Sequence, residues 1–110
     1  MMITLIFDKR SPYFTDDYTS NNTFVELCIH NFINKACDRA KNNLGPIFVN
    51  ELADLLQVPR KKTGFLYGWS LDPETNAERL RGDIVTYWIP DNAIGVKIVP
   101  DGIVVDELED

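Results

Sequence analysis

Metal-binding and crosslinking residues are scarce in this chain. It contains one histidine and two cysteines among 110 residues, too few for a standard zinc site with four protein ligands. Cys28 and Cys37 fall on one predicted helix, where about 100° of rotation and 1.5 Å of rise per residue place them on opposite sides. At that separation they cannot form a disulfide with each other. We therefore expect two small buried thiols, no metal ion and no cofactor.

Long apolar runs and targeting signals are also missing. No stretch approaches the roughly 20 apolar residues that a membrane span requires. Residues 1–7 are mostly apolar, but they lack the basic start and the small-residue cleavage site of a signal peptide. We therefore expect a cytoplasmic protein that does not bind membranes.

Positive charge is nearly absent from the last quarter of the chain. The sequence has 11 Lys and Arg against 17 Asp and Glu, a formal net charge of −6. Residues 1–82 are balanced, so the whole excess lies in residues 83–110, where Lys97 is the only base. This balance argues against direct binding to nucleic acid. The acidic end is interpreted either as a solubilising, solvated segment or as a surface that meets a basic surface on a partner protein.

The apolar pattern of the first half predicts one strand and two helices. Residues 2–7 are typical of a buried strand. Thr23 and Glu26 have the spacing of a capping box and predict the start of a long helix, which Asn42-Asn43 end. Asn50 is a natural N-cap for a second helix that ends before Pro59.

The second half has the alternation and turn residues of β-structure. Residues 65–71 and 84–89 predict strands, with a helical turn between them over 77–81. Residues 94–98 and 103–105 predict a hairpin around the turn at Pro100-Asp101-Gly102. We therefore expect a single α+β domain over residues 1–110, in which two helices pack on one face of a small, mostly antiparallel sheet, with an acidic C-terminal end.

Side chains with catalytic potential form no familiar motif. Asp16 and Asp17 are the only acidic doublet outside the C-terminal end, and sequence neighbours usually diverge, so a loop or cap role is favoured over acid–base chemistry. Glu26 lies one helical turn before His30 and is a candidate partner for it, and a surface or half-buried histidine is favoured over a catalytic base. No phosphate-binding glycine loop, nucleophile elbow or dinucleotide fingerprint is present. We therefore expect no enzyme and no catalytic residues; an enzyme would require Asp16, Asp17 and His30 to converge.

Aromatic side chains are concentrated in two predicted strands. Trp69 lies in the first, and the adjacent Tyr87 and Trp88 of the second must point to opposite faces. Such side chains either complete a core or form an aromatic patch of the kind that dominates binding energy at interfaces. Together with the acidic end they give the candidate partner-binding residues: Trp69, Tyr87, Trp88, Asp101, Asp106, Glu107 and Glu109.

The order of several short motifs is distinctive. The first strand is followed by Asp8-x-x-Ser11-x-Tyr13-Phe14 and then by a helix of about twenty residues. After that helix come, in order, Phe48-Val49-Asn50-Glu51-Leu52 with Leu55-Leu56, Pro59, Gly64 and Gly68-Trp69-Ser70. This order, over roughly residues 5–90, resembles a family of small uncharacterised proteins encoded by tailed phages and prophages of Gram-positive bacteria. Residues 71–82 are longer than the corresponding link in that family, and the acidic end has no counterpart there. The family has no established catalytic residues, so the resemblance implies a viral origin and no mechanism.

These observations predict a non-enzymatic, protein-binding module of phage or prophage origin that acts in the host cytoplasm. Its partner is expected to be a protein with a basic surface. One form of this hypothesis is an acidic inhibitor that occludes a host protein such as a defence nuclease, of the anti-CRISPR or anti-restriction type. The alternative is a structural or accessory component of the virion. A homo-oligomer is compatible with either role.

Overall fold

The computed structural model describes residues 2–72 and 74–103. Helices and antiparallel strands are mixed along the chain, which confirms the predicted α+β class. The elements are, in chain order, β1 (Ile3–Phe7), α1 (Tyr18–Asn42), β2 (Ile47–Phe48), α2 (Val49–Leu56), a 3-10 turn (Thr63–Phe65), β3 (Tyr67–Trp69), α3 (Ala77–Gly82), β4 (Ile84–Ile89), β5 (Ala93–Ile98) and β6 (Gly102–Ile103).

The strands form two antiparallel sheets rather than the single sheet that the sequence predicted. The first has the order β1-β5-β4 and the second the order β2-β3-β6. The predicted hairpin of residues 94–98 and 103–105 is wrong, because β1 and β4 already occupy both edges of β5. The chain leaves the first sheet after β5, and β6 pairs with β3 instead. Residues 104 and 105 of the predicted hairpin lie outside the described residues.

The main core lies between α1 and one face of the first sheet, which we call the inner face. Strand alternation directs every second side chain of β1 and β5 to this side, and α1 meets it with an apolar stripe of helical spacing. The buried residues that meet here are Ile3, Leu5, Phe7, Ile94, Val96 and Ile98 of the sheet, with Val25, Ile29, Phe32, Ile33 and Ala36 of α1.

The first helix begins earlier than the capping box predicted. Its N-cap is Asp17, whose carboxylate accepts hydrogen bonds from the Ser20 N–H at 2.9 Å and the Ser20 hydroxyl at 2.6 Å. Thr23 therefore lies inside the helix, and the predicted cap there is wrong. The predicted C-terminal end is confirmed, since Asn43 closes the helix in the left-handed conformation (φ 54°).

The second helix also begins before its predicted cap. Phe48 occupies the N-cap position, and its N–H donates to the Glu51 carboxylate at 2.9 Å. Asn50 is buried within the helix, where its side-chain amide accepts from the Lys61 N–H (2.9 Å) and donates to the Lys61 carbonyl (2.8 Å). This pair of bonds fixes the segment that follows α2. The predicted helical turn over 77–81 is a short helix, α3, anchored in the core by Leu80.

Candidate functional site

The face of the first sheet opposite α1 is open to solvent. Met2, Val85 and Val99 are 61%, 54% and 51% exposed. Apart from one lysine and one threonine, the side chains that alternation directs to this side are apolar or aromatic. Exposed apolar patches on small proteins commonly mark interaction surfaces. We call this surface the outer face. Its strand residues are Thr4, Ile6, Val85, Tyr87, Ile89 and Lys97, and we include Met2 and Val99, which lie next to β1 and β5 and continue the same alternation.

Tyr87 occupies the centre of the outer face because its neighbour across the sheet has no side chain. The strand register places Gly95 between Tyr87 and Ile6, and a Cβ at Gly95 would collide with the Tyr87 ring. The ring therefore lies across the glycine backbone. Lys97 places its ammonium nitrogen 4.9 Å from the centre of the Tyr87 ring, a cation–π contact that holds both side chains in place.

A groove of about 490 Å³ continues the outer face at the end near the β4–β5 turn. Hydrogen bonds between separate segments build it. The Asn92 side chain donates to the Asp16 carbonyl at 3.0 Å, and the Asn21 side chain donates to the Asn92 carbonyl at 3.0 Å. We call it the acidic groove, lined by Ile6, Phe14, Ile89, Pro90 and Ala93 together with Asp8, Lys9, Asp16 and Asp91.

Negative charge predominates around the acidic groove. Burial raises the pKa of Asp8, but hydrogen bonds from Arg10 and its charge outweigh that effect, so the pKa lies below its usual value. Asp16 and Asp91 are exposed and form no ion pair within the described part of the chain. With Lys9 as the single base of the lining, the groove suits a basic side chain that also offers apolar surface.

The two tryptophans have different environments. Trp69 is fully buried, packs edge-on against Phe32 with ring centres 5.5 Å apart, and donates its indole N–H to Asp83 at 3.0 Å. It belongs to the core, so its assignment to a partner-binding surface is corrected. Trp88 is 61% exposed, and its alternation with Tyr87 puts the two rings on opposite sides of β4, as predicted.

The acidic residues assigned to partner binding divide into two groups. The Asp101 carboxylate accepts from the Ser70 N–H at 3.1 Å and forms an ion pair with Arg79. It thus connects the start of β6 to β3 and α3. The predicted binding residues Asp106, Glu107 and Glu109 lie outside the described residues, so their role stays a prediction.

The side chains considered for catalysis are dispersed. Asp17 caps α1 and His30 lies thirteen residues along the same helix, about 20 Å away at 1.5 Å per residue. Asp16 lies at the acidic groove, so the three groups do not converge. Cys28 and Cys37 are free thiols. Cys28 is buried, which raises its pKa to about 11, but Cys37 is only partly buried, so the prediction of two buried thiols holds for Cys28 alone. Residues 2–72 and 74–103 contain no group of three or more His, Cys, Asp or Glu that could hold a metal ion.

The cleft between α1 and α3, about 470 Å³ in volume, is crossed by an internal ion pair. Arg81 donates to Glu26 at 2.9 Å and to the backbone carbonyl of Ile84. His30 contacts the Asn34 side-chain amide at 3.2 Å, so the predicted pairing of His30 with Glu26 is wrong. Arg81 and Glu26 thus pair within the chain. The outer face and the acidic groove are the better candidate site, because they combine exposed apolar surface with three carboxylates.

No family model, curated protein or solved structure matches the chain. The resemblance to a phage protein family therefore stays a prediction. Among the described helices, none has the length and apolar character needed to cross a bilayer.

Proposed function

We propose that this chain is a non-enzymatic, protein-binding module of phage or prophage origin, and that it binds its partner through the outer face and the acidic groove. The observation that carries the proposal is an apolar face, open to solvent, that runs directly into a groove with three carboxylates. Apolar contact supplies affinity, and charges at the margin supply orientation and partner choice.

The charge distribution supports a partner with a basic surface. Asp16 and Asp91 are free to meet a Lys or Arg of the partner, and the net charge of −6 attracts such a surface over longer distances. The nucleic-acid channel of a host defence nuclease is a surface of this kind. An inhibitor of the anti-CRISPR or anti-restriction type that occludes it is therefore our preferred form of the proposal, and the phage origin rests on the motif order alone.

The test uses the full chain, tagged, as bait in extracts of the infected host, followed by affinity measurements with each purified protein that it retains. Val85→Glu places a carboxylate on the outer face opposite Lys97. The new cross-strand Glu–Lys pair offsets the loss of stability that follows from removing the valine. Leu27→Glu is the control, because Leu27 is equally exposed, at 54%, but lies on α1. We expect Val85→Glu to weaken binding at least tenfold and Leu27→Glu to leave it unchanged. Equal affinities for the two variants would refute the assignment of the outer face.

A second pair of variants tests the groove. Asp91→Asn suits the left-handed backbone at that position (φ 69°) and removes one charge. Asp38→Asn removes the same charge from an exposed position on α1. We expect only Asp91→Asn to slow association and to reduce its dependence on salt. Identical behaviour of the two variants would show that total charge, rather than the groove, attracts the partner.

The alternative function is a structural or accessory component of the virion. The observation that favours it is the edge of β4 that does not pair with β5, since no other described strand pairs with it and an open strand edge is suited to assembly. The two functions are separated by whether the protein is found in purified phage particles or bound to a host protein during infection.

A further inference from the structure

One edge of β4 has backbone groups without a partner in the described part of the chain, although the Ile84 carbonyl on that edge accepts from Arg81. The Val99 N–H donates to the Asp83 carbonyl at 2.9 Å, so the carbonyl of Asp83 points towards β5. Along an antiparallel strand, the N–H and C=O groups of successive residues point to alternate sides. The groups of Ile84, Thr86 and Trp88 therefore point away from β5. Those of Thr86 and Trp88 have no hydrogen-bond partner among the residues that the structure describes.

From this geometry we propose that β4 pairs antiparallel with β4 of a second copy of this chain, with Thr86 at the two-fold axis. The two three-stranded sheets would then form one continuous six-stranded sheet. This inference goes beyond the proposed function and does not depend on it, because the surface is the strand edge and its occupant is this same protein.

The sequence of β4 is complementary to itself in this register. Thr86 faces Thr86 of the second copy, Val85 faces Tyr87, and Ile84 faces Trp88. Pairs of threonines and pairs of an aromatic with a β-branched residue are the cross-strand pairs that stabilise antiparallel sheets. The outward groups of Thr86 and Trp88 find partners, and the Ile84 carbonyl exchanges its bond from Arg81 for one from the Trp88 N–H of the second copy. A register centred on Tyr87 is poorer, since it sets Pro90, which has no N–H, opposite Ile84.

Charge at the two ends of β4 also favours a second copy. The strand itself contains no charged residue and no proline, although such residues commonly protect exposed edges. Arg81 precedes the strand and already reaches its edge at the Ile84 carbonyl. Asp91 follows the strand and forms no ion pair among the described residues. Antiparallel pairing brings Arg81 of each copy, which also pairs with Glu26 of its own chain, to the end where Asp91 of the other lies.

The first test measures association of the purified chain without any other protein, by sedimentation equilibrium from low micromolar to millimolar concentration. Because a single pair of short strands buries less than a standard interface, we expect a monomer–dimer equilibrium in the micromolar range. Trp88→Lys should raise the dissociation constant at least tenfold. Met2→Lys is the control, since Met2 is also 61% exposed but does not lie on β4.

Three results would overturn the proposal: a wild-type chain that stays monomeric at millimolar concentration, a Trp88→Lys variant that dimerises like the wild type, or equal weakening by Met2→Lys. Thr86→Pro is a second edge variant. This substitution removes an N–H that points away from β5, so the hydrogen bonds between β4 and β5 are kept. We expect the variant to be folded by circular dichroism and monomeric by sedimentation.

A crosslinking test determines the register between the β4 strands of the two copies. In the proposed dimer Val85 and Tyr87 of opposite copies form a non-hydrogen-bonded pair, with Cα atoms about 4.5 Å apart, which is within disulfide range. In a Cys37→Ser background, we expect a mixture of Val85→Cys and Tyr87→Cys chains to crosslink on mild oxidation, and either chain alone to crosslink far less. Crosslinking of Tyr87→Cys with itself would overturn the register, and no crosslinking in the mixture would overturn the pairing.

Discussion

Replacing Glu51 by glutamine is expected to lower the free energy of unfolding by about 2 kcal/mol at pH 7. The Glu51 carboxylate accepts from Arg39 at 2.7 and 2.5 Å, from Lys35 at 3.0 Å and from the Phe48 N–H at 2.9 Å. It therefore joins the second half of α1 to the first turn of α2. Its side chain is only 18% exposed, so solvent screens these contacts less than those of a surface pair.

The pH dependence of stability gives a second readout for Glu51. Burial raises the pKa of this carboxyl, but the bonds from Arg39, Phe48 and Lys35 outweigh it, and the pKa lies below the usual 4.5. A depressed pKa stabilises the folded state above the unfolded-state pKa, and the contribution is lost as pH falls through the folded-state value. As the pH is lowered below about 4.5, the free energy of unfolding should therefore decrease more steeply for the wild type than for Glu51→Gln.

The assay is urea unfolding followed by circular dichroism at pH 7, 5 and 3.5. Asp54→Asn is the matched control, because Asp54 is also an acid of α2 paired with an arginine, Arg60, but both side chains are about half exposed. Exposed pairs contribute roughly 0–1 kcal/mol. If Glu51→Gln and Asp54→Asn destabilise equally, or if Glu51→Gln keeps the wild-type pH dependence, the reasoning about Glu51 is wrong.

Three further predictions concern the fold. Gly68→Ala should destabilise by about 3 kcal/mol or more in urea unfolding, since the new Cβ would collide with the backbone of β2. Asp17→Ala should cost about 1 kcal/mol as an N-cap, and Thr23→Ala clearly less; a larger loss for Thr23→Ala would reinstate the predicted cap. At pH 8, Cys28 should react with iodoacetamide much more slowly than Cys37, because burial raises the pKa of Cys28 to about 11; equal rates would contradict this.

Local pattern was sufficient for the elements that carry strong periodicity. The strand over 84–89 has the predicted bounds, and the long helix ends where Asn42-Asn43 predicted. Both signals depend on residues close in sequence. The α+β class follows from the same pattern, because a helical stripe and an alternating strand have to bury their apolar sides against each other.

Cap positions could not be settled by local chemistry. Asp17 and Thr23 both have side chains suited to an N-cap, and the choice depends on contacts elsewhere. Glu26, expected to complete the box with Thr23, instead binds Arg81, which lies 55 residues further along the chain. Similarly, Asn50 has a side chain suited to an N-cap, but this side chain hydrogen-bonds to the backbone of Lys61 instead. In each case a distant partner outweighed the local preference.

The candidate site was predicted only in part. Alternation correctly placed Tyr87 and Trp88 on opposite sides of a strand, but which side faces water depends on where α1 packs. Trp69 was misassigned because a short aromatic strand has the same local pattern in a core as on a surface. The sequence analysis did not identify Lys97 as part of the site. Once β5 is paired with β4, counting residues along the two strands places Lys97 on the same side of the sheet as Tyr87.

The two proposals make a joint prediction, because the outer face and the free edge belong to the same strand. Pairing of β4 would set Val85 of one copy beside Tyr87 of the other and double the apolar surface offered to a partner. Trp88 lies on the opposite side of β4, so Trp88→Lys separates the two effects. If the outer face of a single copy is enough to bind the partner, Trp88→Lys should bind it with wild-type affinity as a 1:1 complex. A large loss of affinity in that variant, with Val85→Glu equally weak, would instead identify the joined surface of the dimer as the binding site.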